Sequence, residues 1–186
     1  MIDRIATLFA RLGGLMIMLI AVAVAVDVFT RNIFGRTVLN SFEISAYLFA
    51  IAISFGLSYT ALSGAHIRVD VLLPRLPVVL RRALDFAAFL SMAAMGLFLA
   101  WHGGLRAIES LERGVVSASA AAVPLGVPQA IWAAGFLMFA LTSCLLAARH
   151  AACLIARDGH AADRIGRFGA DEEAAEAIDD ARQMEA

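Results

Sequence analysis

Residues 44–65 read ISAYLFAIAISFGLSYTALSGA, an apolar run that contains no charged side chain. A helix needs about 20 predominantly apolar residues to cross the hydrocarbon core of a bilayer, which is about 30 Å thick. Three further apolar stretches accompany this run, and together they predict spans at about 8–34, 43–65, 84–107 and 128–149. The chain is therefore predicted to be an integral membrane protein that acts in, across or beside a bilayer.

The composition as a whole is also that of a membrane protein. Hydrophobic residues make up 61% of the 186 residues, and the mean hydropathy is +0.81, both too high for an ordinary soluble domain. Four spans and their connections fill residues 1–157, which we expect to form an all-α integral membrane four-helix bundle. Residues 158–186 are rich in acidic side chains, and we expect a solvated cytoplasmic tail there.

The arginines are distributed unequally between the two sides of the predicted membrane domain. Positively charged residues accumulate in cytoplasmic loops, so the arginine-rich side predicts that both termini are cytoplasmic. The segment between spans 2 and 3 mixes arginines with Val and Leu, which suits an interfacial segment on the cytoplasmic surface. Because the arginines sit at span ends, no nucleic-acid partner is expected. The cytoplasmic set is Arg4, Arg11, Arg68, Arg75, Arg81, Arg82, Arg149, Arg157, Arg164 and Arg167, against Arg31, Arg36, Arg106 and Arg113 outside.

Two acidic residues lie close to the outer ends of the first two spans. Asp27 and Arg31 are four residues apart, so they share a helix face and can form an ion pair, although charges at membrane depth often mark function. Asn40 and Glu43 have the spacing of a capping box at the start of span 2. Glu43 is interpreted either as part of this cap or as a proton or cation site, and the sequence leaves both readings open.

Small residues follow a regular spacing along span 2. Such stripes let membrane helices approach closely, and two of them indicate packing against more than one neighbour, within the chain or in a partner. Gly64 then permits a tight helix end. At the outer end of span 3, the spacing of Arg106, Glu109 and Arg113 predicts a helix that continues beyond the membrane. The first stripe is Ala46, Ala50, Ser54 and Ser58, and the second is Ala52, Gly56 and Thr60.

The motifs of common enzymes and cofactor sites are missing from the sequence. There is no glycine-rich phosphate loop, no His-Glu-x-x-His, no paired-cysteine motif and no nucleophile elbow. The four histidines do not form the intramembrane pairs that a haem requires, and His66 with Asp70 lacks further metal ligands nearby. No span is interrupted at its middle by Gly or Pro, as transporter substrate sites often are. We therefore expect no enzymatic activity, no cofactor and no metal.

Two short stretches carry a resemblance to a known family. The first is Arg31-Asn32-Ile33-Phe34-Gly35-Arg36, followed by Glu43. The second is Gly64-x-His66-Ile67-Arg68-Val69-Asp70, followed by Leu76-Pro77 and Arg81, and a weaker one runs from Ser119 to Pro124. From about Arg4 to about Ala148, the chain thereby resembles the small membrane subunit of tripartite ATP-independent periplasmic (TRAP) transporters.

The resemblance implies a role beside two other proteins in a bacterial inner membrane. These are a large multi-span membrane subunit that carries the substrate and a periplasmic solute-binding protein. Uptake of organic acids would be driven by an ion gradient, commonly of sodium, and the small subunit would serve as a fixed scaffold. The residues expected to support the structure or a partner interface are Arg31, Glu43, Ala46, Ala50, Ser54, Ser58, Gly64, His66, Arg68, Asp70, Arg106, Arg113 and Pro124.

Two other classes of protein remain as alternatives at this stage. A self-sufficient small four-span exporter would act as a homodimer, with Glu43 or Asp27 as its proton-coupled carboxylate. A membrane anchor for a redox enzyme would need better placed histidines. Neutralising Glu43 separates the first alternative from a scaffold, because an exporter would lose coupling outright.

Overall fold

A computed structural model describes residues 2–35, 41–64, 76–119 and 122–166 of the chain. Helices account for nearly all of these residues, and an isolated β-bridge between Val116 and Pro124 is the single extended pairing among them. The helices are α1 (Ile2–Phe34), α2 (Ser41–Ser63), α3 (Val78–Glu112), α4 (Gly126–Ile155) and α5 (Gly159–Gly166). The first four are long and apolar enough to cross a membrane. The prediction of an all-helical protein with four membrane helices is confirmed.

Two of the membrane helices are longer than a bilayer requires. α1 has 33 residues and α3 has 35, so each is about 50 Å long at 1.5 Å per residue. The hydrocarbon core is only about 30 Å thick, and the excess must be taken up by tilt or by extension into the headgroup region. α3 continues through Arg106 and Glu109, as their spacing predicts.

The membrane helices form an open row and not a closed bundle. α1 packs along α2, α2 along α4, and α4 along α3, so the spatial order is α1, α2, α4, α3. Half of the apolar window of α4 is buried, against 11% for α1, which agrees with an inner and an edge position. A row leaves broad apolar faces uncovered, and this costs little in lipid because acyl chains are as apolar as a protein core.

Small residues bring neighbouring helices of the row close together. A Cβ added to Gly13 would lie 2.9 Å from the carbonyl oxygen of Ala52, and one added to Gly135 would collide with the Ser54 side chain. Glycine is needed at both positions because the facing helix leaves no space for a methyl group. Three helix contacts therefore have a glycine at their centre, namely Gly13 with Ala52, Gly135 with Ser54 and Gly96 with Ala140.

Candidate functional site: polar clusters at the two ends of the row

Charged and hydroxyl side chains gather at the two ends of the helix row. We call the end where α1 and α3 finish the Gly114 end, after the glycine that follows α3. The opposite end, where α3 begins and α4 passes into α5, is called the Pro77 end. The polar contacts at each end join separate elements of the fold, so both ends are candidate functional sites.

The first cluster at the Gly114 end is centred on Asp27. This carboxylate is fully buried and lies 2.5 Å from Nη2 of Arg31, whose side chain is 59% exposed. The hydroxyl of Ser41, the first residue of α2, donates a hydrogen bond to Oδ2 of Asp27 at 2.7 Å. The predicted pairing of Asp27 with Arg31 is confirmed. The same carboxylate also joins the end of α1 to the start of α2, which the sequence did not indicate.

A second cluster at this end is centred on Glu43 in the first turn of α2. Oε1 of Glu43 accepts a hydrogen bond from the Tyr47 hydroxyl at 2.7 Å. The hydroxyls of Ser117 and Ser119, from the loop between α3 and α4, also donate to the Glu43 carboxylate. The proposed capping partner, Asn40, lies outside the described residues. Glu43 thus fastens the α3–α4 loop to the start of α2, and the first turn is also where a helix dipole favours a carboxylate.

The α3–α4 loop is itself held in a small hairpin that positions the two serines. The Ser117 N–H donates to the carbonyl of Val123 at 2.9 Å, and the Val123 N–H returns a bond to the Ser117 hydroxyl at 3.1 Å. Gly114 turns the chain with φ of +60°, and Pro124 forms the bridge to Val116 while its own side chain is exposed. Of this cluster the sequence singled out Glu43 and the Ser119 to Pro124 stretch, but neither Tyr47 nor Ser117.

The predicted small-residue stripe of α2 is used largely inside the chain. Ser54 and Ser58 are fully buried, and Ser54 faces Gly135 of α4. Ala46 is exposed and Ala50 is partly buried. Ala52, from the second stripe, faces α1. Ser54 and Ala52, one from each stripe, therefore serve the contacts with α4 and α1, and Ala46 remains exposed to lipid or to a partner.

A shallow cleft opens beside this stripe, between α2 and α4 near the Gly114 end. Its volume is about 220 Å³. The cleft lies at the level of Trp132, an aromatic residue of the kind that is enriched at membrane interfaces. It is lined by Tyr47, Ala50, Leu125, Pro128, Gln129 and Trp132.

The Gly114 end of α3 carries an exposed ion-pair network. Glu109 forms an ion pair through each of its carboxylate oxygens. Oε2 lies 3.3 Å from Nη1 of Arg106, and Oε1 lies 3.2 Å from Nη1 of Arg113. The arginine side chains are 76% and 72% exposed, so each pair contributes at most about 1 kcal/mol. The predicted pairing along this helix is confirmed, and it lies in the last turns of α3, which ends at Glu112.

At the Pro77 end, Gly64 terminates α2 with φ of +70°, which confirms the predicted tight helix end. His66, Arg68 and Asp70, which the sequence singled out, lie outside the described residues. Two titratable groups that the sequence did not single out are instead buried, one on α3 and one on α4. Asp85 is 5% exposed, and His150 is fully buried.

Aromatic rings surround the buried histidine. The ring of Phe86 stacks on the His150 imidazole at a centroid distance of 6.4 Å, and the ring of Phe89 lies at 5.7 Å. Asp85 and Phe89 are one helical turn apart on α3, so they share a face. The sequence carried a signal for this site, because Asp85 and His150 are polar residues at the edges of apolar runs.

The described residues offer no obvious metal centre. Among them, no group of three or more His, Cys, Asp or Glu side chains could hold a metal ion. Cys144 and Cys153 are both free thiols, and Cys144 is exposed.

Comparison with known proteins identifies a family. The family model described as "Tripartite ATP-independent periplasmic transporters, DctQ component" matches residues 20–153, which is well over half of the chain. No curated protein and no solved structure matches the chain. The matched region includes both clusters at the Gly114 end and the buried Asp85 and His150, and it ends before α5.

Proposed function

Because the chain belongs to the DctQ family of TRAP transporter small components, we propose that it is the scaffold subunit of an importer for organic acids. The family is a transporter component, so the protein is not an enzyme. In our proposal the importer uses an ion gradient, that of sodium, and includes a large membrane subunit and a periplasmic solute-binding protein. The chain would lie in a bacterial inner membrane with both termini in the cytoplasm.

The family match carries this proposal, and the shape of the helix row supports it. The row leaves broad apolar surfaces uncovered, and its edge helix α1 touches little besides α2. Large apolar side chains such as Met18 and Phe29 are 71% and 64% exposed on α1. Such faces suit contact with lipid on one side and a larger membrane protein on the other.

The placement of the buried titratable groups also favours a scaffold over a carrier. Asp27, Asp85 and His150 are the buried titratable side chains among the described residues, and each lies toward one end of its helix. A substrate or ion site of a secondary transporter is expected near the bilayer midplane. The exporter alternative would need Asp27 or Glu43 as its coupling group, yet Asp27 is paired with Arg31 and Glu43 accepts three hydroxyl donors.

The exposed arginines of the Gly114 end suggest which surface meets the binding protein. Arg31, Arg106 and Arg113 are each more than half exposed. In the proposed orientation they face the periplasm, together with Pro124 of the α3–α4 loop. We propose that this end helps to seat the solute-binding protein. We also propose that the exposed surface of the helix row around Ala46 contacts the large subunit.

The test is purification of the tagged chain from its native membranes in mild detergent, with mass spectrometry of what co-elutes. The proposal expects a stoichiometric many-span membrane protein, and it expects Glu43→Gln to retain any ion coupling of uptake by the reconstituted complex. Recovery of the chain alone or as a homodimer would overturn the scaffold role. The coupling ion is tested by measuring uptake of an organic acid into proteoliposomes under a sodium gradient and under a proton gradient. The proposal expects uptake with the sodium gradient.

A further inference from the structure

Helix α5 is a feature of this chain beyond the region that the family model matches. α4 ends at Ile155, and Arg157 turns the chain with φ of +57°. Oδ1 of Asp158 then accepts the N–H of Ala161 at 3.0 Å and caps the new helix. Ala162 is fully buried. Ile165 packs against an apolar cluster that consists of Ala61, Phe89, Phe139, Leu146 and Ala147. α5 is therefore docked on α3 and α4 and does not project freely from the end of α4.

An ion-pair cluster fastens α5 to the start of α3. Nε and Nη2 of Arg82 each lie 3.0 Å from a separate oxygen of Asp163, which is a bidentate geometry. Nη2 of Arg81 approaches Oδ1 of the same carboxylate at 3.3 Å. A Cβ on Gly159 would collide with the Arg82 guanidinium, so the helix passes directly over this side chain. We call Arg81, Arg82 and Asp163 the arginine clasp.

The clasp has the chemistry of a phosphate site. The planar fork of arginine binds carboxylate and phosphate in the same bidentate manner. Two guanidinium groups meet a single carboxylate, so one positive charge of the clasp is not compensated within it. All three side chains are partly exposed, at 16%, 27% and 24%. An anionic group such as a phosphate could therefore reach these arginines and bind them in place of the carboxylate or beside it.

The surroundings of the clasp point to a lipid as the source of that phosphate. The arginines lie in the first turns of a membrane helix, where phospholipid headgroups are found. The residues that immediately precede them are apolar and exposed, with Val79 at 81% and Val78 at 47%. Apolar side chains beside a basic pair are typical of a surface that inserts into the membrane interface. A site for a soluble anion would not require exposed apolar side chains beside the arginines.

We propose that Arg81 and Arg82 form a binding site for the phosphate of an anionic lipid, and that Asp163 of α5 occupies this site as an internal competitor. α5 is then a latch at the Pro77 end. When a lipid phosphate displaces Asp163, α5 is released from the start of α3. The proposal is independent of the transporter assignment, because it rests on α5 and the clasp alone.

The experiment measures lipid retained by the full-length protein in detergent, by native mass spectrometry after titration with phosphatidylglycerol or phosphatidylcholine. Asp163→Asn removes the competitor and leaves both arginines. We expect about a fivefold gain in bound phosphatidylglycerol, the order that release of a partly exposed ion pair allows, and no gain in phosphatidylcholine. Adding Arg82→Gln to Asp163→Asn should abolish the gain.

A matched control is Glu109→Gln, which makes the same change of charge in the ion-pair network at the opposite end. It should bind phosphatidylglycerol as the wild type does. The proposal is overturned if Asp163→Asn gains no more than Glu109→Gln, or if it gains both lipids equally. It is also overturned if millimolar inorganic phosphate displaces the bound phosphatidylglycerol, since the site would then serve a soluble anion. Arg82→Lys, added to Asp163→Asn, keeps the positive charge but removes the planar bidentate guanidinium. Phosphatidylglycerol binding between that of Asp163→Asn and that of its Arg82→Gln double variant would show how much the guanidinium geometry adds to the charge.

Discussion

The Ser41 hydroxyl, at the start of α2, donates a hydrogen bond to the fully buried carboxylate of Asp27, near the end of α1. Arg31 holds the same oxygen from one helical turn away. The carboxylate thus joins the last turns of α1 to the first turn of α2. A buried carboxylate of this kind stabilises the fold only while its guanidinium is present, and the first prediction rests on that dependence.

Arg31→Gln should destabilise the protein by about 2 to 3 kcal/mol. The substitution leaves the Asp27 charge buried without its cation. Removing one partner of a fully buried ion pair costs about 3 to 5 kcal/mol, and we expect less here because Arg31 is more than half exposed. Asp27→Asn in the same chain should recover most of the loss, since no charge then remains to be buried. Thermal unfolding in detergent measures both. Arg106→Gln is the control for an exposed pair and should cost less than about 1 kcal/mol. Equal losses for the two arginine variants would refute this role of Asp27.

The contact between Glu43 and Ser117 should behave as a coupled pair. Glu43→Gln and Ser117→Ala each remove part of one network, so each should cost about 1 kcal/mol, and the double variant should cost less than their sum. Hydrogen exchange at the loop amides of Ser117 and Leu125, both of which are hydrogen-bonded, reports the loosening directly. Tyr47→Phe removes a donor that does not belong to the loop and should leave those amides protected. Strictly additive losses would mean that Glu43 does not hold the loop.

The sequence predicts the local features of this fold better than its tertiary ones. The Asp27–Arg31 pair, the helical extension to Glu109 and the end of α2 at Gly64 all follow from spacing along one helix. The contacts of Ser41 with Asp27 and of Ser117 with Glu43 depend on how separate helices meet, which no spacing along one helix encodes.

Lipid also removes a signal that is available in soluble proteins. An apolar side chain on a membrane helix can face lipid or protein at similar cost, so the apolar pattern does not indicate which face is buried. This is why the open row of helices was not predicted. Small residues do carry that information, because only close backbone approach requires them. Ser54 and Ala52 accordingly mark the faces that meet α4 and α1.

Gly135→Ala should therefore separate α2 from α4 and destabilise the protein by about 1 to 3 kcal/mol, as overpacking does. The new Cβ would collide with the Ser54 side chain and would lie 3.0 Å from the Phe55 ring. Gly56→Ala is the matched control on α2, because a Cβ there meets nothing within 4 Å. That change should be neutral or stabilising by up to about 1 kcal/mol, since alanine favours a helix interior over glycine. Similar unfolding temperatures for the two variants would refute the close contact.

The arginine clasp should make α5 docking depend on pH in the acidic range. The bidentate hydrogen bond from Arg82 lowers the pKa of Asp163 from its ordinary value of 3.8 to about 2, and Arg81 adds to the effect. The folded carboxylate binds a proton more weakly than the unfolded one. Its contribution is therefore fully present above about pH 4 and is lost as the pH falls from about 4 to about 2.

A fluorescent probe on Cys153, in a Cys144→Ala background, would report undocking of α5 through that pH range. The wild type should show a transition between about pH 4 and pH 2, whereas Asp163→Asn should show none there, because it has no carboxylate to protonate. Asp158 caps α5 and is the other carboxyl close to the probe, so Asp158→Asn should weaken docking at every pH while keeping the transition. A transition of unchanged size in Asp163→Asn would assign it to a different group and would remove the clasp as the cause of docking.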